Sequence, residues 1–251
     1  MKTHRIALLL TAASLSGASL HAASMTWGAP TNISANTDVS LHGTLVAAYN
    51  FGGTGVAATT VNGVTFQPFP ISGAANTYTV GNYTFKNVDT FETIAPAATS
   101  TWQPLTLAYQ GLLTTAVDLN ADRELTLTLS GLTPGQTYEF QTWVNNSNRQ
   151  NGFNNFLFRT SVSDDLGNFV NVYAGDDGTV RGISQVPGQF VIGTFTADAA
   201  SQNVRFANGE INGVVNGFQL RQIPPPVIPE PGTALFGFAL LSAASLTRRG
   251  R

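Results

Sequence analysis

Side chains able to move protons or hold metals are scarce in this sequence. Imidazoles occur only at His4, His21 and His42, and there is no cysteine. Thiol catalysis, Cys-ligated zinc, iron–sulfur clusters and covalent haem attachment are therefore excluded. His42, the single histidine beyond the N-terminal stretch, cannot build a multi-histidine metal site. It could act as the base of one Ser–His–Asp set, yet nothing beside it resembles a nucleophile elbow. Carboxylates are more plentiful, with thirteen between Met25 and Ile223. A glycosidase needs two of them about 5 to 9 Å apart, and no pair stands out by spacing. No catalytic residue, cofactor or metal ligand is assigned from the sequence.

Two stretches carry binding chemistry. Asn145-Asn146-Ser147-Asn148-Arg149-Gln150-Asn151-Gly152-Phe153-Asn154-Asn155 follows Trp143-Val144. Amide and guanidinium groups match sugar hydroxyls as donors and acceptors, and an indole face can stack on a pyranose ring. Trp143, Asn145, Asn148 and Arg149 are the candidate sugar contacts, set against a plain Asn/Gly loop with Trp143 in the core. Asp118-Leu119-Asn120-Ala121-Asp122-Arg123-Glu124 spaces oxygen atoms at alternate positions, as calcium loops do. It has Arg123 where such a loop needs Gly and lacks the distant Glu, so it reads as a polar approach to a strand. Asp164-Asp165 and Asp176-Asp177 read as turns.

The elements that must position these residues are strands. Gly, Pro, Thr and Asn are abundant, while only 10% of residues are charged, too few for the surfaces of a helical bundle. Between Met25 and Ile223 the net charge is −6. A mildly acidic domain without a basic patch is not a nucleic-acid binder, since phosphate neutralisation supplies most of that affinity. Glu124 to Ser130 alternates strictly, with leucines on one face. Leu132-Thr133-Pro134-Gly135 supplies a turn, and Gln136 to Val144 is expected to return as the hairpin partner. Further strands are expected over Thr44–Phe51, Val61–Phe66, Thr77–Phe85, Phe156–Val162, Phe169–Tyr173, Gln189–Thr196, Asn203–Phe206 and Val214–Arg221. One short helix is expected near Pro104 to Leu113, where Leu105, Tyr109 and Leu112 share a face. The pattern predicts an all-β fold, an antiparallel sandwich or jelly roll, over residues 25–222.

The two ends read as addresses. Met1 to Ala13 has a basic flank and a short apolar run, and Ser14 to Ser24 is rich in small residues. This is the pattern of a secretory leader over residues 1–24, its helix removed by signal peptidase between Ala22 and Ser24. At the other end, residues 223–232 form a Pro-rich spacer containing Pro229-Glu230-Pro231. Residues 233–251 hold an apolar run, Ala234 to Leu246, then Arg248, Arg249 and Arg251. Thirteen helical residues span about 20 Å, short of the hydrocarbon thickness. The helix would insert transiently in the inner membrane with its arginines cytoplasmic.

This order of Pro-Glu-Pro, apolar helix and terminal arginines closely resembles the PEP-CTERM sorting signal of Gram-negative, exopolysaccharide-making bacteria. The resemblance covers about the last twenty-five residues. It implies that an exosortase recognises the segment, cuts near the motif, and delivers the protein to the envelope surface or extracellular matrix. Pro229, Glu230 and Pro231 match the motif, and Arg248, Arg249 and Arg251 match the basic stop. Tyr109-Gln110-Gly111-Leu112-Leu113, Gly131 to Tyr138, Gly188 to Phe195 and Gly217-Phe218-Gln219-Leu220-Arg221 also look like a sandwich type found in such proteins. That likeness implies a jelly roll akin to galactose-binding-like modules, with no known active site. Three functions follow in order: a non-enzymatic structural or adhesive surface protein, a carbohydrate-binding module for exopolysaccharide, and a glycan-active hydrolase.

Overall fold

A computed structural model describes residues 23–53, 55–71, 75–86, 88, 90–93, 102, 105–119, 124–146, 158–175, 187–209 and 213–225. The segments expected to form a leader helix, a Pro-Glu-Pro motif, an apolar C-terminal helix and a basic stop lie outside these residues. So do Asn148, Arg149 and residues 120–123. Among the described residues no helix is long and apolar enough to cross a membrane.

In chain order the strands are β1 (Thr26–Trp27), β2 (Thr31–Asn32), β3 (Thr44–Asn50), β4 (Thr59–Val61), β5 (Val64–Pro68), β6 (Thr77–Val80), β7 (Tyr83–Lys86), β8 (Thr90–Thr93), β9 (Thr115–Leu119), β10 (Glu124–Ser130), β11 (Thr137–Val144), β12 (Arg159–Ser163), β13 (Phe169–Tyr173), β14 (Gln189–Thr196), β15 (Ser201–Asn208), β16 (Gly213–Val215) and β17 (Gly217–Ile223). Among the described residues one α-helix, α1 (Leu107–Leu113), precedes β9, and a single 3-10 turn covers Asn36–Asp38. Thr106 caps it by accepting from the Tyr109 N–H, and Tyr109, Leu112 and Leu113 are its buried residues.

An eight-stranded sheet runs β1-β14-β11-β17-β3-β5-β4, with β2 also on β14. A six-stranded sheet runs β13-β12-β15-β10-β7-β6, and β16-β9-β8 form a small third sheet. Pairing is antiparallel except between β3 and β5. The expected sandwich is present, and rings from facing sheets meet in its centre. Phe51 stacks on Phe85 at 4.7 Å, and Tyr83 meets Phe218 edge-on at 5.5 Å. Such pairs add to the hydrophobic gain of burying each ring.

Several expected connections differ. β10 and β11 do not form a hairpin: β10 pairs with β15 and β7, whereas β11 pairs with β14 and β17 in the opposite sheet. The Gly131–Gln136 segment is an arch between sheets. Its Leu132 and Gly135 N–H groups donate to Ala200 and Ala197, residues of the matching arch between β14 and β15. Gly135 does adopt the positive φ of 82° that the turn chemistry anticipates. Two expected single strands are instead hairpins. Asn62-Gly63, both at positive φ, joins β4 to β5 in the two-residue turn that this pair of residues favours between strands. Gly81-Asn82 likewise joins β6 to β7. The last expected strand breaks at buried Asn216, whose amide donates to the Leu113 and Thr115 carbonyls.

Candidate functional site

The sequence candidates separate on burial. Trp143 is fully buried on β11; its Nε1 donates to the Tyr109 hydroxyl at 3.0 Å, and Phe66 packs edge-on against its ring. Asn145 is equally buried, donating from Nδ2 to the Leu113 carbonyl. Neither has a face left for a sugar, which corrects the reading of both as contacts. They anchor α1 and the β16–β17 break. Asn148 and Arg149 lie outside the described residues. In the stretch read against a calcium loop, Asp118 is buried on β9, and Glu124 pairs with Arg205. Among the described residues no cluster of three or more metal-ligating side chains occurs.

The lone imidazole finds a partner the sequence does not reveal. His42 Nδ1 lies 3.0 Å from Oε2 of Glu139, a carboxylate buried on β11, while the His42 ring is largely exposed. The other oxygen, Oε1, is buried and has no hydrogen-bond partner. The Ser40 hydroxyl accepts from the His42 backbone N–H. Arg221, opposite Glu139 on β17, donates from Nε to the His42 carbonyl and from Nη2 to those of Leu41 and Gly43. Burial lowers its pKa, and the nearby Glu139 charge opposes that shift. The carboxylate and the guanidinium thus fasten the 40–43 loop onto the sheet.

Two shallow depressions flank β1 at the seam between the two large sheets. One, of about 500 Å³, is lined by Ser24, Thr26, Trp27, Asn168 and Phe169, among others. Trp27 pairs with Gly193 on β14, where a Cβ would come within 2.6 Å of the indole ring. Only glycine there lets the ring lie against the strand. The indole Nε1 donates to the Asn168 carbonyl, and the ring meets Phe140 edge-on. Phe169, at the start of β13, is 63% exposed, and nearby Leu166 is 53% exposed. Phe169 and Leu166 thus leave apolar surface open to solvent beside this depression.

The second depression, of about 410 Å³, is lined by Thr26, Thr137, Thr194, Thr196 and Asp198 together with Ala23 and Ser24, so the two share Ser24 and Thr26. Register explains its chemistry. Thr26 faces Thr194, and Thr194 faces Glu139, so these side chains form one row across three strands. Thr137 and Thr196 form the next row and share a hydrogen bond of 3.0 Å. Period-two alternation on an outward sheet face lines up hydroxyls in this way. Trp27, in the alternate row with Gly193 and buried Phe140, points to the other face of the sheet, so the aromatic and hydroxyl surfaces lie on the two sides of edge strand β1. Threonine hydroxyls beside the Asp198 carboxylate suit a ligand rich in hydroxyl groups. The sequence offered no local cue to it, because residues 23–27 meet residues 167–169 and 194–198 only in the folded sandwich.

No protein-family model matches the chain. No curated protein matches it either. Among solved structures, it is similar to Bacteroides uniformis beta-glucuronidase 2 covalently bound to cyclophellitol-6-carboxylate aziridine, with TM-score 0.45 and 16% identity. It is similar also to a calcium binding mutant of that enzyme, with TM-score 0.44 and 16% identity. Each match covers 71% of this chain and 18% of that chain. The chain thus spans less than a fifth of those enzymes, and a likeness so distant bears on neither its ligand nor its chemistry.

Proposed function

We propose that this chain is an exported protein, sorted by an exosortase to the surface or extracellular matrix of a Gram-negative bacterium. There its sandwich adheres to polysaccharide through the groove astride β1. The observation that carries the adhesive part is that two depressions, one lined by Trp27 and exposed Phe169 and the other by Thr26, Thr194, Thr137 and Thr196, meet at edge strand β1 and share Ser24 and Thr26. Flat aromatic faces contact the C–H side of sugar rings, and fixed hydroxyls then select orientation. The role is binding: the buried carboxylate Glu139 and its neighbour Arg221 serve the 40–43 loop.

The sorting part rests on the ends of the sequence and gains support from where the sandwich stops. β17 ends at Ile223, immediately before Pro224-Pro225-Pro226, and faces Thr137. Ala23 lines the same depression as Thr137, so Ala23 and Ile223 lie at the same end of the sandwich. Affinity electrophoresis of the processed protein against bacterial exopolysaccharide, backed by a glycan array, tests the adhesive reading. Retarded mobility that is lost in Phe169→Ala is expected; no retardation with any glycan overturns it. Deleting Pro229 to Arg251 tests the sorting reading. Release or mislocalisation of a folded protein is expected, and unchanged surface retention overturns it.

A further inference from the structure

We infer that the leader is cut at the Ser24–Met25 bond, and that the new α-ammonium of Met25 closes a buried ion pair with Asp164. The inference rests on the export reading above. Asp164, in the turn between β12 and β13, is 2% exposed. Its carboxylate accepts from Leu166 N at 2.9 Å, Asn168 N at 2.9 Å, Asn168 Nδ2 at 2.8 Å and Met25 N at 2.8 Å. These are four neutral donors, and among the described residues no ion pair includes Asp164. Burial alone would raise its pKa. The Asn168 side chain and the backbone N–H groups of Met25, Asn168 and Leu166 outweigh it and hold the carboxyl below its ordinary value. The site therefore holds a charged carboxylate on neutral donors alone, and a cation in place of one of them turns that contact into a charge-assisted bond.

Met25 N is the one donor that comes from outside the turn, 139 residues away in sequence. Hydrolysis by signal peptidase adds water across the Ser24–Met25 bond, leaving a carboxylate on Ser24 and an amine on Met25. That amine takes up a proton and keeps the position of the former amide nitrogen, with three N–H donors and a positive charge. Leader cleavage requires small residues at the first and third positions before the cut. Ser24 and Ala22 meet this for a cut before Met25; a cut one or two bonds earlier puts His21 or Leu20 at the third position. Met25 is 2% exposed and packs in the core, and β1 starts at the next residue, so the new terminus is held on both sides. Ser24 lines both depressions and Ala23 one of them, so their departure removes part of the lining of each.

The test is intact-mass and N-terminal sequencing of the exported full chain, with amine labelling as the second readout. A mature chain beginning Met25-Thr26-Trp27 is expected. Its α-amine should react with an acylating reagent at neutral pH at least tenfold more slowly than in Asp164→Asn. A chain beginning at Ala23, Ser24 or any other residue overturns the inference while leaving export intact. Equal labelling rates in the two proteins overturn the ion pair. Retention of residues 1–22 in the exported protein overturns the export reading together with this one.

Discussion

Glu139 and Arg221 face each other across β11 and β17, yet both are engaged by a third segment. The carboxylate meets the His42 ring, and the guanidinium is spent on the carbonyls of Leu41, His42 and Gly43. A buried cation here acts as a backbone clasp, tying the loop before β3 to the sheet through charge-assisted hydrogen bonds.

Replacing Arg221 by Met should therefore unfasten the loop and leave three carbonyls without donors. A loss of about 2–4 kcal/mol in unfolding free energy is expected from urea denaturation. His42→Ala, at a largely exposed ring, should cost under about 1 kcal/mol. Equal losses would show that the clasp is not the guanidinium.

Trp143 and Phe169 should divide stability from binding. Trp143→Ala opens a cavity beneath α1 and strands the Tyr109 hydroxyl, at about 3–5 kcal/mol. Trp143→Phe should keep glycan binding while lowering the melting temperature. Phe169→Ala should leave the melting temperature nearly unchanged and weaken binding at least tenfold, about 1.4 kcal/mol, by titration calorimetry. The opposite pattern would return Trp143 to the contact surface.

Acid stability should report Asp164. Its folded-state carboxyl titrates below its ordinary value, so the unfolded chain takes up its proton first as pH falls. The stabilisation is fully present above about pH 4 and is lost as pH drops through the lower, folded-state value. Asp164→Asn should thus be less stable at neutral pH, with a flatter acid limb below about pH 4. Parallel pH–stability curves for the two proteins would contradict this.

At the alkaline end the reporter is Tyr83. Burial, then the neighbouring Tyr49 and Tyr138 hydroxyls, push its pKa up to about 12. A raised pKa stabilises below the unfolded value of about 10 and loses that contribution as pH climbs towards the folded one. An absorbance titration at 295 nm should show one late-ionising group near that pH that disappears in Tyr83→Phe. Tyr109, buried and bonded to Trp143, is also shifted upward and should ionise only on unfolding.

The features legible before any coordinates were local ones. Leu125, Leu127 and Leu129 on alternate positions placed β10 with one face in the core, and Tyr109 with Leu112 marked the buried face of α1. The lack of cysteine and the single histidine beyond residue 21 set limits on chemistry that need no coordinates. Whatever depends on a neighbouring strand or loop emerged only from the packed fold. Alternation says which face of a strand is apolar but not which strand lies beside it, so β11 went to the sheet opposite β10 despite the short turn between them. The same gap hid the burial of Trp143, since an indole before a polar loop reads alike whether α1 and Phe66 cover it or not. The groove was hidden for a stronger reason. Trp27 and Asn168 are 141 residues apart, and only closure of the sandwich seam brings one against the other.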